Sequence, residues 1–187
     1  METLFFILLG VVLTCVVVAA RRRYAAFYGQ TPEDYDESFP ILDIKEKLNG
    51  QMVCEGVIFG PLGRVTSSFV ADFNITWEGD KGVMAERFRY NDGSIQDREW
   101  RIALGRNGQF TADADDVPGT GNGTVAGSCA QMLYKIRLPD ESGGHVLNTV
   151  DWMYLTPDGT IVNRSQFRKY GFKVAELVAT IRARDKL

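Results

Sequence analysis

Charged and polar side chains stand among large aromatic ones at alternate positions in three stretches: Glu86-Arg87-Phe88-Arg89-Tyr90, Arg98-Glu99-Trp100-Arg101 and Asn163-Arg164-Ser165-Gln166-Phe167-Arg168. On a half-exposed sheet this is the ordinary pattern of a wetted face. The chemistry it would otherwise permit is recognition of an amphipathic ligand, with an apolar wall and a few placed polar groups that orient the ligand's head. On that reading Trp100, Tyr134 and Trp152 line an apolar pocket, Tyr154 and Asn163 share its concave face, and Glu86 and Arg164 orient the head group. A buried carboxylate such as Glu86 then needs a partner, because an unpaired charge is costly away from water.

Other chemistry finds less support. His145 is the sole histidine and follows Gly143-Gly144 ahead of a strand, a turn position rather than that of a general base. No serine lies in a G-x-S-x-G context. Asp113, Asp115 and Asp116 offer oxygens to a hard cation but lack the spaced calcium loop and its distal Glu; the same acids would cap the turn into Pro118-Gly119. Gly119-Thr120-Gly121-Asn122-Gly123 has the glycines of a phosphate cradle without the following lysine and helix, and reads as a flexible turn. No cysteine or histidine spacing suits zinc. The expectation is no catalytic residue, no metal and no cofactor, with an enzyme acting on lipid through Asp115, Asp116 or His145 as the third reading.

Strands must position these residues. From Phe69 to Trp77, Phe69, Ala71, Phe73, Ile75 and Trp77 fall on one face; Met84 to Tyr90 alternates likewise, and Asn91-Asp92-Gly93 is a hairpin signal ahead of Ile95 to Leu104. Further strands read from Met52 to Phe59, Phe110 to Ala114, Met132 to Leu138, Val146 to Leu155, Ile161 to Arg168 and Val174 to Ala183. Eight to nine strands with hairpin-short connections make an all-β, antiparallel, up-and-down lipocalin-like barrel or half-barrel over residues 41–187. One short helix, Asp43 to Leu48, crosses one end. Residues 24–40, acidic and aromatic with two prolines, read as a surface-wrapped juxtamembrane linker.

Ahead of that linker, Thr3 to Ala20 carries no charge and is long enough to span a hydrocarbon core of roughly 30 Å. A cleaved signal would need a basic leader, whereas only Met1 and Glu2 precede the run. Arg21, Arg22 and Arg23 follow it, which keeps the domain on the cytoplasmic side of a single-pass anchor formed by residues 1–23. From Tyr24 onward the chain has 18 basic and 23 acidic residues, a balance that argues against nucleic acid as a partner. Cys54 and Cys129 read either as buried thiols or as one bridge.

The stretches CEGVIFGPLGRVTSSF (Cys54 to Phe69), ERFRYNDG (Glu86 to Gly93), REWRIAL (Arg98 to Leu104), ADADDVPG (Ala112 to Gly119), DWMYLTPDGTIVNRS (Asp151 to Ser165) and FRKYGFKVAEL (Phe167 to Leu177) resemble, in order, the bacterial domain of unknown function numbered 3833. The resemblance implies a lipocalin-like fold, no catalytic residues to carry over, and lipid-related work through genes neighbouring fatty-acyl-modifying methyltransferases. Many relatives resemble lipoproteins, but here Cys15 lacks a small residue before it and the apolar run ends in three arginines.

The reading is a membrane-anchored, non-enzymatic binding module for a lipid or other amphipathic ligand at the bacterial inner membrane. The alternative is a structural accessory subunit of a larger membrane protein complex.

Overall fold

Period-two alternation from Gly50 onward is realised as ten antiparallel strands: β1 Gly50–Phe59, β2 Val65–Glu78, β3 Lys81–Tyr90, β4 Ile95–Leu104, β5 Gln109–Asp113, β6 Gly121–Ala126, β7 Cys129–Arg137, β8 Val146–Leu155, β9 Ile161–Lys169 and β10 Phe172–Ala183. This computed structural model describes residues 1–184; Lys186, which the sequence pattern puts with Arg182 and Arg184 at a solvated end of the last strand, lies outside them. Each strand pairs with the next, and β10 returns to β1 with Met52 opposite Ala183 and Phe59 opposite Glu176. The barrel is therefore closed rather than a half-barrel, and no strand edge is left bare.

One strand escapes the sequence reading. Gly121–Ala126 is β6, not part of a flexible turn, and pairs with β5 and β7. Its glycines hide the alternation for a packing reason: Gly123 lies opposite Phe110, whose ring covers it so closely that an added Cβ would sit 2.1 Å from Phe110 Cζ.

An up-and-down meander puts the β1/β2, β3/β4, β5/β6, β7/β8 and β9/β10 connections at one end and the other turns at the opposite end. Across the latter runs α2 (Ile44–Lys47), whose N-cap Asp43 accepts a hydrogen bond from Glu46 N at 3.0 Å. Ile44 and Leu48 are buried in the core, and Trp77 Nε1 donates to Leu48 O at 2.7 Å. Met52, Ile75, Leu155, Ile161 and Ile181 are buried above this floor, whereas Ile58, Phe88, Tyr90, Ile136, Phe167 and Leu177 toward the other end are half-buried. That end is the mouth.

The chain enters through α1 (Glu2–Tyr24), which buries none of its residues and is long and apolar enough to cross a membrane. The segment after it forms a strap down the outside of β7, β8 and β9. Tyr28 lies under Arg168 near the mouth, Phe27 under Arg164, and Tyr35 against Trp152 with ring centroids 5.4 Å apart. The Tyr35 and Tyr154 hydroxyls both donate to Gln30 Oε1, at 2.5 and 2.8 Å. Near the floor, Ser128 N donates to Ser38 Oγ at 2.9 Å and Leu42 N to Gly127 O at 2.8 Å. Cys129 packs under this strap and Cys54 inside the barrel; both are free thiols, so the bridge alternative falls away.

Candidate functional site

Strand parity decides which side chains meet inside. Met84, Glu86 and Phe88 of β3, Arg98, Trp100 and Ile102 of β4, Met132 and Tyr134 of β7, Asp151 and Met153 of β8, and Asn163 and Ser165 of β9 surround one cavity of about 130 Å³. That is smaller than the roughly 300–1,000 Å³ of sites for drug-sized ligands and close to the ~150 Å³ of an engineered void that admits benzene. Its walls are mostly aromatic and aliphatic, and Trp100 and Tyr134 meet edge to face with centroids 5.3 Å apart.

A polar cluster sits halfway up this apolar interior. Glu86 is only 7% exposed and faces Arg98 across the β3–β4 ladder. The Arg98 guanidinium stacks 4.2 Å above the Trp100 ring centroid, and its Nε donates to Asp116 Oδ1 at 3.0 Å. Asp151 accepts from Asn163 Nδ2 at 2.5 Å and Ser165 Oγ at 2.8 Å. Glu86 Oε2 and Arg98 Nη2 are buried without a hydrogen-bond partner. Such atoms are uncommon, since a buried polar group left unpaired loses its hydration without compensation.

Burial governs the protonation of these groups. It pushes the Glu86 carboxyl up to about 8, against the opposing pull of the Arg98 charge, so near neutral pH Glu86 is mostly a neutral acid that can donate as well as accept. Burial also raises Asp151, with hydrogen bonds from Ser165 and Asn163 working the other way. The Tyr134 hydroxyl and the Cys54 thiol are raised by the same cause.

The connection from β5 to β6 completes the cluster. β5 is short, and the chain after it turns inward, burying Ala114 and Val117 in the core. Arg137 N donates to Asp116 O at 2.7 Å, which sets the Asp116 carboxylate beside Arg98. The acidic group noted in the sequence thus serves arginines, with Asp115 pairing with Arg101 at 3.0 Å on the surface. His145 lies outside the cluster, its Nδ1 at 2.8 Å from Lys169 Nζ.

Of the residues singled out from sequence, Glu86, Trp100, Tyr134 and Asn163 come together around the cavity, and Trp152, Tyr154 and Arg164 do not. Asp151 and Met153 point inward, so Trp152 and Tyr154 point outward and stack under the strap with centroids 5.8 Å apart. Arg164, between inward Asn163 and Ser165, lies over Phe27 and pairs with Glu176 at 2.6 Å. The placement of Trp152 and Arg164 in the pocket is therefore corrected. Arg98 and Asp151 are the members missed; counting back from the Asn91-Asp92-Gly93 turn sets Arg98 opposite Glu86 and would have found the first.

A larger groove of about 820 Å³ runs outside β2, β3 and β4 and touches Glu86 and Arg98. Its rim is made of solvated ion pairs, Arg87 with Asp97 at 2.7 Å and Asp72 with both Arg89 and Arg184, which satisfy one another. The interior cavity, with its unpaired buried atoms, is the better candidate.

Among solved structures, the chain is similar to the S-type phycobiliprotein lyase CPES from Guillardia theta, with a TM-score of 0.51 and 7% identity over 74% of this chain and 89% of the lyase. At that identity the likeness is one of fold, a lipocalin-like barrel. No curated protein matches the chain. The family described as a protein of unknown function, DUF3833, matches residues 23–183, which takes in the strap and every strand, and the chain belongs to that family.

Proposed function

We propose that this chain is a membrane-tethered, non-enzymatic binding module that takes an amphipathic, lipid-like ligand head-first into its barrel. The observation that carries this reading is the pair of unpartnered buried atoms, Glu86 Oε2 and Arg98 Nη2, set in an otherwise apolar cavity. A ligand head bearing an acceptor, such as a carboxylate, phosphate or carbonyl, would receive hydrogen bonds from Arg98 Nη2 and from protonated Glu86. Trp100 and Tyr134 flank the head, and the half-buried Phe88, Tyr90 and Phe167 lead from it to the mouth. The cavity's size fits a head and the first carbons, with the tail running out between these rings. In this reading α1 crosses the membrane, and Arg21, Arg22 and Arg23 hold the barrel at its cytoplasmic face.

The test is purification of the full-length protein in mild detergent, with mass spectrometry of bound lipids and proteins. A defined lipid retained by the wild type and lost in Arg98→Met supports the site. Equal lipid in both, or stoichiometric membrane subunits in its place, overturns it, the latter in favour of an accessory subunit.

A further inference from the structure

Large apolar side chains stand exposed at both ends of the barrel: Phe39 and Ile41 in the segment that runs in beside Gly127-Ser128, and a second group on the tips of the mouth. The floor's own hairpin turns, Gly79-Asp80, Gly105 to Gly108, Gly127-Ser128 and Thr156 to Thr160, carry no large apolar residue. At the mouth, Leu62 is 86% exposed, Ile95 64%, Tyr170 87% and Phe172 74%. Tyr170 also holds a left-handed φ of 50°, a conformation that bulky residues rarely adopt and that glycine would fill at less cost. The described residues leave these side chains largely uncovered, and water is a poor environment for a cluster of them.

We infer that the β1/β2 and β9/β10 side of the mouth is a lipid-docking crown, with Leu62, Tyr170 and Phe172 seated in the interface of the same bilayer that α1 crosses, while the acidic tips that carry Asp92, Asp115 and Asp140 stand away from it. Two further observations select a lipid surface as the occupant. The anchor joins the barrel at this end: Arg23 Nη1 donates to Gly29 O at 3.3 Å, and the next turn of chain, at Tyr28, lies under Arg168 near the top of β9. The β1/β2 and β9/β10 tips, neighbours across the β1–β10 pairing, read Pro61-Leu62-Gly63-Arg64 and Lys169-Tyr170-Gly171-Phe172-Lys173, basic and apolar with no acid between. Apolar tips flanked by Lys and Arg suit insertion of roughly 5–10 Å into the boundary between anionic head groups and acyl chains, where tyrosine is favoured.

The inference rests on α1 being an anchor and deepens the ligand reading, because the mouth then opens onto lipid and an acyl tail need not cross water. It is tested on the full chain in a Cys15→Ser background, reconstituted into phosphatidylcholine and phosphatidylglycerol vesicles, with an environment-sensitive fluorophore on Leu62→Cys, Tyr170→Cys or, at the floor, Asp158→Cys. Brominated lipid should remove most of the emission at the two mouth positions and none at Asp158→Cys. Equal quenching at both ends, or none at the mouth in protein that resists carbonate extraction, overturns the crown. Extraction by carbonate would overturn the anchor, and the crown with it. Retention of lipid by the unlabelled protein, and its loss in Arg98→Met, is scored separately, so the pocket and the crown fail independently.

Discussion

Glu86 on β3 and Arg98 on β4 stand directly opposite one another inside the barrel, yet their side chains form no hydrogen bond or ion pair. Arg98 instead turns its Nε to Asp116 and its face to Trp100. The carboxyl across the ladder is left as a buried acid, and the pair keeps one free donor and one free oxygen pointing into an apolar space.

That arrangement fixes a pH dependence. Glu86 titrates at about 8 in the folded chain, against an ordinary 4.5. Between those values the unfolded chain releases a proton that the folded chain keeps, so stability falls as pH rises through this window and levels off above it. Glu86→Gln should flatten most of that fall, leaving a smaller slope from Asp151, whose carboxyl burial also raises. Melting temperatures of the two proteins across the window decide it; parallel declines would mean that Glu86 ionises freely in the fold.

Asp116 fastens the β5–β6 connection through its carboxylate to Arg98 and its carbonyl to Arg137. Asp116→Ala should cost about 1.5–3 kcal/mol in urea unfolding, the range for a hydrogen bond to a charged group. Amide exchange should quicken in residues 114–120 ahead of the neighbouring strands. Asp116→Asn, which keeps an acceptor, should lose less.

Trp152 is fully buried between the barrel wall and the strap. Trp152→Ala should destabilise by about 3–5 kcal/mol, as for other large aromatic truncations. It should also expose the Phe27 to Ser38 segment to limited proteolysis. Trp100→Ala, which opens the cavity instead, should leave the strap protected and change ligand retention. A strap that stays resistant in Trp152→Ala would show that its polar contacts suffice.

Gly123→Ala forces a methyl into the Phe110 ring and should destabilise by about 1–3 kcal/mol. Combining it with Phe110→Leu should cost less than the sum of the single changes, the mark of two residues sharing one space.

These residues also show what could be read from the sequence. The hairpin signal after Tyr90 and the alternation on either side of it allowed Glu86 and Trp100 an inward face beside the more ordinary wetted one, and of the ten strands only β6 went unnamed, because it lacks side chains that alternate. Trp152 misled because a large aromatic normally points to the barrel interior. Here it points outward, covered by Phe27 and Tyr35 from a segment distant in sequence, which no local pattern reveals. Asp151, the polar neighbour that a surface reading would turn to solvent, takes the inward place because Asn163 and Ser165 supply its hydrogen bonds. Lining residues that depend on a neighbour's partners were therefore the ones missed.

The pairing of β1 with β10 has a consequence for how the molecule is made. The ribosome delivers Met52 long before Ala183, so the growing sheet curls with two raw margins, one of them β1, until the final hairpin is released. Contacts so remote along the chain form slowly, and uncovered margins invite pairing with other chains. The α1 helix, the strap and α2 all emerge earlier, so on the proposed anchoring by α1 the nascent protein would already be held at a bilayer while its wall is incomplete. Its last hairpin, the one tipped by Tyr170 and Phe172, is also the one that seals it.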